Sequence, residues 1–315
     1  MPSGVDGSIL DRRLVFVTGK GGVGKTSTAA ALAHLAAQRG KKTLVCEMDA
    51  KGSLADAFDV GPLAFEPRKL EPNLFAMAMN TEDALKEYLR LFAKVPFIGR
   101  IGPLARTFDF LADAAPGVRE ILVIGKLCYA VREQHYDIGI VDAEATGHII
   151  SQIGAPMTIR EMAQVGMVRD QTDWMLEVLH DTSITGVAIV TTPEEMPVTE
   201  SLALIERIED ETGVVATTLI ANRVLPDVFN KRQRQVADRI DEALPLITDA
   251  VGRAGSTVLE ASRITDARRR IGRGHLDRLR AESDLPILTV PELFTRATGR
   301  RVVTLVAEAL EPVVG

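Results

Sequence analysis

The sequence predicts a doubly wound α/β fold, a mostly parallel sheet flanked by helices with one inserted helical layer. Two observations carry this. Short apolar runs recur at Leu14–Val17, Thr43–Met48, Leu74–Met79, Ile138–Val141, Ile184–Val190, Val215–Ala221 and Pro286–Val290. Several are apolar on both faces, as strands covered by helices on either side must be. Between them lie helical patterns at Thr26–Gln38, Thr81–Ala93, Val118–Glu133, Arg169–His180, Pro197–Thr212, Phe229–Ala243, Val258–Glu282 and Thr298–Leu310. Strand–helix–strand alternation is the signature of βαβ units wound in both directions.

Bulk properties agree. The chain has 315 residues, 46% of them hydrophobic and 25% charged, enough for a full core. It reads as one domain over 1–315. Residues 81–134 form an inserted helical subdomain, because the pattern there stays helical with no strand between. The net charge of −6 gives no general attraction for nucleic acid or an anionic membrane. The first thirteen residues lack the basic-then-apolar pattern of a secretory leader, and no run is long enough to span a bilayer. Two cysteines, Cys46 and Cys128, stand far apart with no metal-ligand spacing, which fits a reducing cytoplasm and excludes a disulfide framework.

The first strand runs into Thr18-Gly-Lys-Gly-Gly-Val-Gly-Lys-Thr-Ser27, which fits GxxxxGK[ST] between a strand and an Ala-rich helix. Gly19, Gly21, Gly22, Val23 and Gly24 supply backbone N–H groups that can face phosphate oxygens, aided by the helix start at Lys25, Thr26 and Ser27. Lys25 is placed to neutralise the outer phosphates, and the Thr26 hydroxyl to ligate Mg²⁺. The expected ligands are therefore ATP and Mg²⁺.

The extra lysine after the first glycine, Lys20, gives a loop that resembles the deviant P-loop of the family containing ParA, MinD, the nitrogenase iron protein and ArsA. Further segments are similar to the ArsA branch: Glu47-Met-Asp-Ala-Lys-Gly-Ser-Leu54 to its switch I, and Asp142-Ala-Glu-Ala-Thr-Gly-His148 to its switch II. Ile220-Ala-Asn-Arg223 and Pro291-Glu-Leu293 resemble its adenine-contacting segments. This resemblance implies that Lys20 acts across a nucleotide-bridged dimer, that Asp49 orients or deprotonates the attacking water, and that Asp142 holds Mg²⁺ through water. It also implies that Asn222, Pro291, Glu292 and Leu293 contact the base. The catalytic set is thus Lys20, Lys25 and Asp49, with Thr26 and Asp142 at the metal.

The chain departs from the family pattern at Ala50 and Gly52 of switch I and at Glu144 of switch II. For Glu144, a role at Mg²⁺, at a partner subunit or merely at the solvent all stay open. The metalloid-binding cysteines of ArsA and the zinc-sharing CxxC of its eukaryotic relatives are missing. Expected partners are accordingly a second subunit, identical or homologous, and a protein client. A poorly hydrolysing regulatory half of a heterodimer and a ParA/MinD-like positioning ATPase are the competing readings, although Arg300–Gly315 makes a poor membrane helix. Met157, Met162, Met167 and Met175, near Trp174, read as core filler or as an adaptable client surface. The arginines from Arg263 to Arg280 alternate with acids and read as a solvated, salt-bridged face.

Overall fold

The computed structural model describes residues 8–49, 51–92, 117–162, 165–227, 229, 231–237 and 239–314. Its strands are β1 (Leu14–Gly19), β2 (Thr43–Glu47), β3 (Arg68–Glu71), β4 (Leu74–Ala78), β5 (Ile138–Ala145), β6 (Thr185–Thr191), β7 (Ala216–Val224) and β8 (Ile287–Pro291). They form one eight-stranded sheet in the order β3-β4-β2-β5-β1-β6-β7-β8. All pairings are parallel except β3 with β4. Every apolar run expected as a strand is one.

The helices are α1 (Lys25–Gln38), α2 (Ser53–Ala57), α3 (Thr81–Phe92), α4 (Val118–Arg132), α5 (Thr146–Met162) and α6 (Met167–His180), followed by α7 (Glu195–Thr212), α8 (Lys231–Ala237), α9 (Ile240–Glu282) and α10 (Gly299–Leu310). Two-residue alternation sorts the strand side chains onto two faces. Val15, Val17, Val45, Ile138, Ile140, Val190 and Ile220 pack with the Ala-rich α1 and with Val303, Val306 and Leu310 of α10. Leu14, Phe16, Leu44, Cys46, Val141, Val187, Ile189 and Leu219 pack with residues of α3 to α7 and with Leu276 and Leu279 of α9. Small alanines let α1 lie close to the sheet, so its first turn is held firmly at the end of β1. The apolar face of α10 is buried on α1, which leaves it unavailable to a membrane, and no described helix is long and apolar enough to cross one.

Several expectations are corrected. β3, with the sequence Arg-Lys-Leu-Glu, has no apolar alternation and forms by antiparallel pairing to β4 alone. β5 does not stop at Val141. It continues through Asp142 to Ala145, because Gly19 pairs with Ala145 and the Thr18 hydroxyl donates to the Glu144 carbonyl at 2.8 Å. The segment that resembles switch II thus enters α5 directly at Thr146. The region 229–282 reads as two helices but holds α8 and a much longer α9, which is broken at Gly252 (φ 69°). Of the helical layer over 81–134, α3 and the start of α4 flank a stretch, 93–116, that lies outside the described residues. α3 and α4 pack on each other, and the Lys126 ammonium is 2.7 Å from the Glu87 carboxylate.

The remaining side groups divide. Among the methionines, Met175 is buried, Met157 half-buried and Met162 exposed, while the Met167 side chain lies outside the described ones. Trp174 donates to Gln171 Oε1 at 2.7 Å and lies under the Arg132 guanidinium. Some of the α9 arginines are salt-bridged on an exposed face, Arg278 to Glu282 and Arg280 to Asp277. One pair differs from a solvated face: Arg269 and Asp266 are both buried, with Arg269 Nε 3.1 Å from Asp266 Oδ1.

Candidate functional site

In parallel α/β sheets, ligands collect at the carboxyl ends of the strands, where the chain leaves the sheet for a helix. Here β2, β5 and β1 are adjacent, so their ends bring together residues far apart in sequence. Gly19 takes φ 147°, Gly22 85° and Gly24 95°. Those torsions turn 19–24 sharply ahead of α1. A Cβ on Gly19 would sit 2.1 Å from the Val190 carbonyl oxygen, a rigid backbone atom. Gly19→Ala is therefore expected to destabilise the protein by about 3 kcal/mol in urea melts, through strain and clash together. Gly24→Ala is expected to cost less, because the obstacle at 2.4 Å is the side-chain amide of Asn222. Gly21 and Gly22 have open space around them and are exposed. Val23 is buried and anchors the loop, and Ser27 continues the first turn of α1.

Lys25 reaches back so that its ammonium donates to the Lys20 carbonyl at 3.3 Å. Burial lowers its pKa, with Asp142 opposing that shift. Among the described residues no carboxylate is in hydrogen-bond contact with this desolvated ammonium, which leaves it ready for an anionic ligand. The Thr26 hydroxyl donates to Asp142 Oδ2 at 2.7 Å. Asp142 is buried, and desolvation is the largest cause that pushes its pKa up to about 6.

The residues present fit a magnesium ion. Thr26 and Asp142 offer hard oxygen atoms at one point, and a buried carboxylate is stabilised by a cation. Among the described residues no three acids, histidines or cysteines gather as a full protein cage.

The segment that resembles switch I begins at Glu47, which in sequence is only the end of a strand. Its Oε1 accepts the N–H groups of Ser53 at 2.8 Å and Leu54 at 3.4 Å, capping the start of α2. Its Oε2 is buried with no hydrogen-bond partner among the described residues, and desolvation raises the pKa of Glu47. Within the loop so closed, Asp49 is partly exposed and ion-paired with Lys51. Glu144 does not simply face solvent. It is half-buried, and its Oε1 accepts from Gln152 Nε2 at 2.7 Å. His148 is exposed, 3.8 Å from Glu144.

Lys20 points to α7, where it is ion-paired with Glu200. The other oxygen of Glu200 accepts from the Thr146 hydroxyl at 3.3 Å. On the far side of the loop, β7 carries one extra residue relative to β8, between the pairs Ala221↔Thr289 and Val224↔Pro291. This bulge, with Arg223 at φ 57°, aims Asn222 inward. Asn222 Nδ2 donates to the Val23 carbonyl at 2.8 Å, so the side chain braces the phosphate loop. Pro291 is the last residue of β8 rather than the first after it. The Glu292 N–H donates to the Val224 carbonyl at 2.9 Å, and Leu293 packs into the core. Beside them lies a cavity of about 780 Å³ lined by Thr192, Arg223, Glu292, Phe294, Arg269 and others.

A phosphate-cradling loop between β1 and α1, at the carboxyl edge of an eight-stranded, mostly parallel sheet, defines a P-loop NTPase fold. The model of the anion-transporting ATPase family matches residues 12–171 and 152–243, and the chain belongs to that family, the ArsA ATPases. It is similar to the ATPase BagA of Mycobacterium tuberculosis, 33% identical over 225 residues that cover 68% of this chain and 66% of the relative. It is also similar to an ATPase ASNA1 homolog of Entamoeba histolytica, 27% identical over 252 residues, covering 67% and 76% of the two chains. The chain thus spans just under two thirds of the length of the mycobacterial relative.

Proposed function

We propose that this protein is a Mg²⁺-dependent ATPase whose two-subunit state is gated by nucleotide and which handles a protein client. The observation that carries the reading is the Lys25, Thr26 and Asp142 cluster at the phosphate loop. It provides an ammonium for the outer phosphates and two oxygens for the metal at one strand edge. Bound Mg²⁺ supplies charge neutralisation at the phosphates, with Thr26 and Asp142 holding it.

The chain's own residues do the rest. The backbone of Gly19 to Gly24 orients the phosphates. Lys25 stabilises negative charge that develops on them, and Asp49 orients the attacking water or takes up its proton. Phosphoryl transfer needs mainly position and charge compensation, so these groups suffice. Asn222, Pro291, Glu292 and Leu293 border the base, with the neighbouring cavity accepting the nucleoside. Lys20 reaches the nucleotide of the second subunit.

A metalloid is disfavoured as cargo because soft ions need thiolates. The chain has only Cys46 and Cys128. Both are buried, and burial pushes the Cys46 thiol up to about 12 and the Cys128 thiol higher still. Exposed Met162, Val165 and Val168, beyond switch II, offer apolar surface to a client.

Asp49→Asn is expected to reduce steady-state ATP turnover by about 100-fold, as loss of a general base does, while MgATP binding by calorimetry persists. Turnover equal to wild type would remove Asp49 from the mechanism. One observation favours a second reading, a weakly hydrolysing half of a heterodimer: the Asp49 carboxylate is already engaged by Lys51. Negligible turnover alone, restored in a stoichiometric complex with a homologous ATPase, would select it.

A further inference from the structure

We propose that Glu200 is a positioning residue that holds Lys20 inside its own subunit until a second subunit offers nucleotide, and that it couples this release to switch II. The inference rests on the proposed action of Lys20 across a dimer, and names the contact that regulates it.

Lys20 is the second residue of the phosphate loop, and its ammonium is paired with Glu200 of α7. The two residues are 180 positions apart in sequence, and both side chains keep about a third of their surface exposed, 32% each. The pair is therefore reachable from outside the subunit, where an incoming partner would approach. Glu200 sits six residues into α7, whose Val198, Ser201 and Leu204 are buried, so the carboxylate is presented from a fixed helix. The second Glu200 oxygen accepts the Thr146 hydroxyl, and Thr146 is the first residue of α5 and part of switch II. One carboxylate thus ties the phosphate loop and switch II to α7 at once.

A second subunit's phosphates are a stronger anion than one carboxylate. When they take Lys20, Glu200 loses its cation and keeps only the weaker hydroxyl donor. Thr146 is then freer to move, and the start of α5 moves with it. Capture of Lys20 by the partner would be felt at switch II without any direct contact between nucleotide and α5.

The inference predicts that the full-length Glu200→Gln protein, without nucleotide, exposes Lys20. Labelling with acetic anhydride, read residue by residue by mass spectrometry against Lys41 as internal reference, should modify Lys20 at least about threefold faster than in wild type, as loss of an ion pair exposes an ammonium. Unchanged labelling of Lys20 overturns the proposal, whatever the oligomeric state. By sedimentation, half-maximal association should need about fivefold less MgATPγS in Glu200→Gln, while MgADP affinity of the single subunit stays at the wild-type value. This is the fold-change expected from removing one partly exposed competitor of about 1 kcal/mol. Lys20→Ala separates the two layers. If it associates like wild type, the dimer role of Lys20 fails and this inference with it. If it fails to associate while Glu200→Gln keeps the wild-type midpoint, only Glu200 is wrongly assigned.

Discussion

Lys25→Ala is expected to weaken MgATP binding by at least about 100-fold in calorimetry. The ammonium is desolvated in the free subunit, and the acceptor in reach is the Lys20 carbonyl at 3.3 Å. Phosphate oxygens replace that one neutral contact with charge-assisted bonds, each contributing about 1.5–3 kcal/mol. Two such bonds amount to a factor of about 100 or more in affinity. The fold should not suffer, because removing a buried ammonium also removes its desolvation cost. Thermal melts of the nucleotide-free protein should therefore match wild type or rise slightly. An affinity within a few-fold of wild type would mean that phosphates are not bound where this loop places them.

Asp142→Asn is expected to stabilise the free protein and to disable its response to magnesium. The native carboxyl of Asp142 titrates at about 6, against about 3.9 in an unfolded chain. Between those values the native state holds more protons than the unfolded one, so stability falls as pH rises through the window. Above about 6 the loss is complete, on the order of 3 kcal/mol for this single group. Asparagine carries no charge, can still accept from Thr26, and escapes the loss. At pH 7.5 the nucleotide-free variant should melt several degrees higher than wild type, and the difference should vanish near pH 4. With MgATP the order should reverse, because only the carboxylate draws stability from the cation. A variant no more stable than wild type at pH 7.5 would contradict the desolvated state of Asp142.

The parts of the molecule that are legible in its sequence are those written as local pattern. Parallel strands buried on both faces appear as apolar runs, and Gly19 to Thr26 appears as a motif because phosphate binding uses consecutive backbone. β3 is not legible, because Arg68, Lys69 and Glu71 are edge residues whose strand state comes only from β4. α5 is hidden by Gly147, Gly154 and Pro156, which break the helical pattern, and by the unbroken burial of Gln152 to Pro156 at its middle. Glu47 and Glu200 escape notice for another reason. Each is an ordinary residue of its element, and its meaning lies in partners that the fold supplies: the start of α2 for one, and Lys20 with Thr146 for the other. Asn222 stands out in sequence as a base contact, yet its bond to Val23 depends on a one-residue bulge that no run of residue types announces.

That bulge has a thermodynamic consequence. Asn222 gives one amide hydrogen to Val23 in the loop and accepts the N–H of Arg223 on its oxygen, so both ends of the side chain are committed. Anything at the nucleoside end that turns this amide must at the same moment release a carbonyl of the phosphate cradle. Base identity and loop order then share one free energy, and linkage runs in both directions. Selectivity for one nucleobase would be read out as how firmly the triphosphate is gripped, rather than as a separate recognition step.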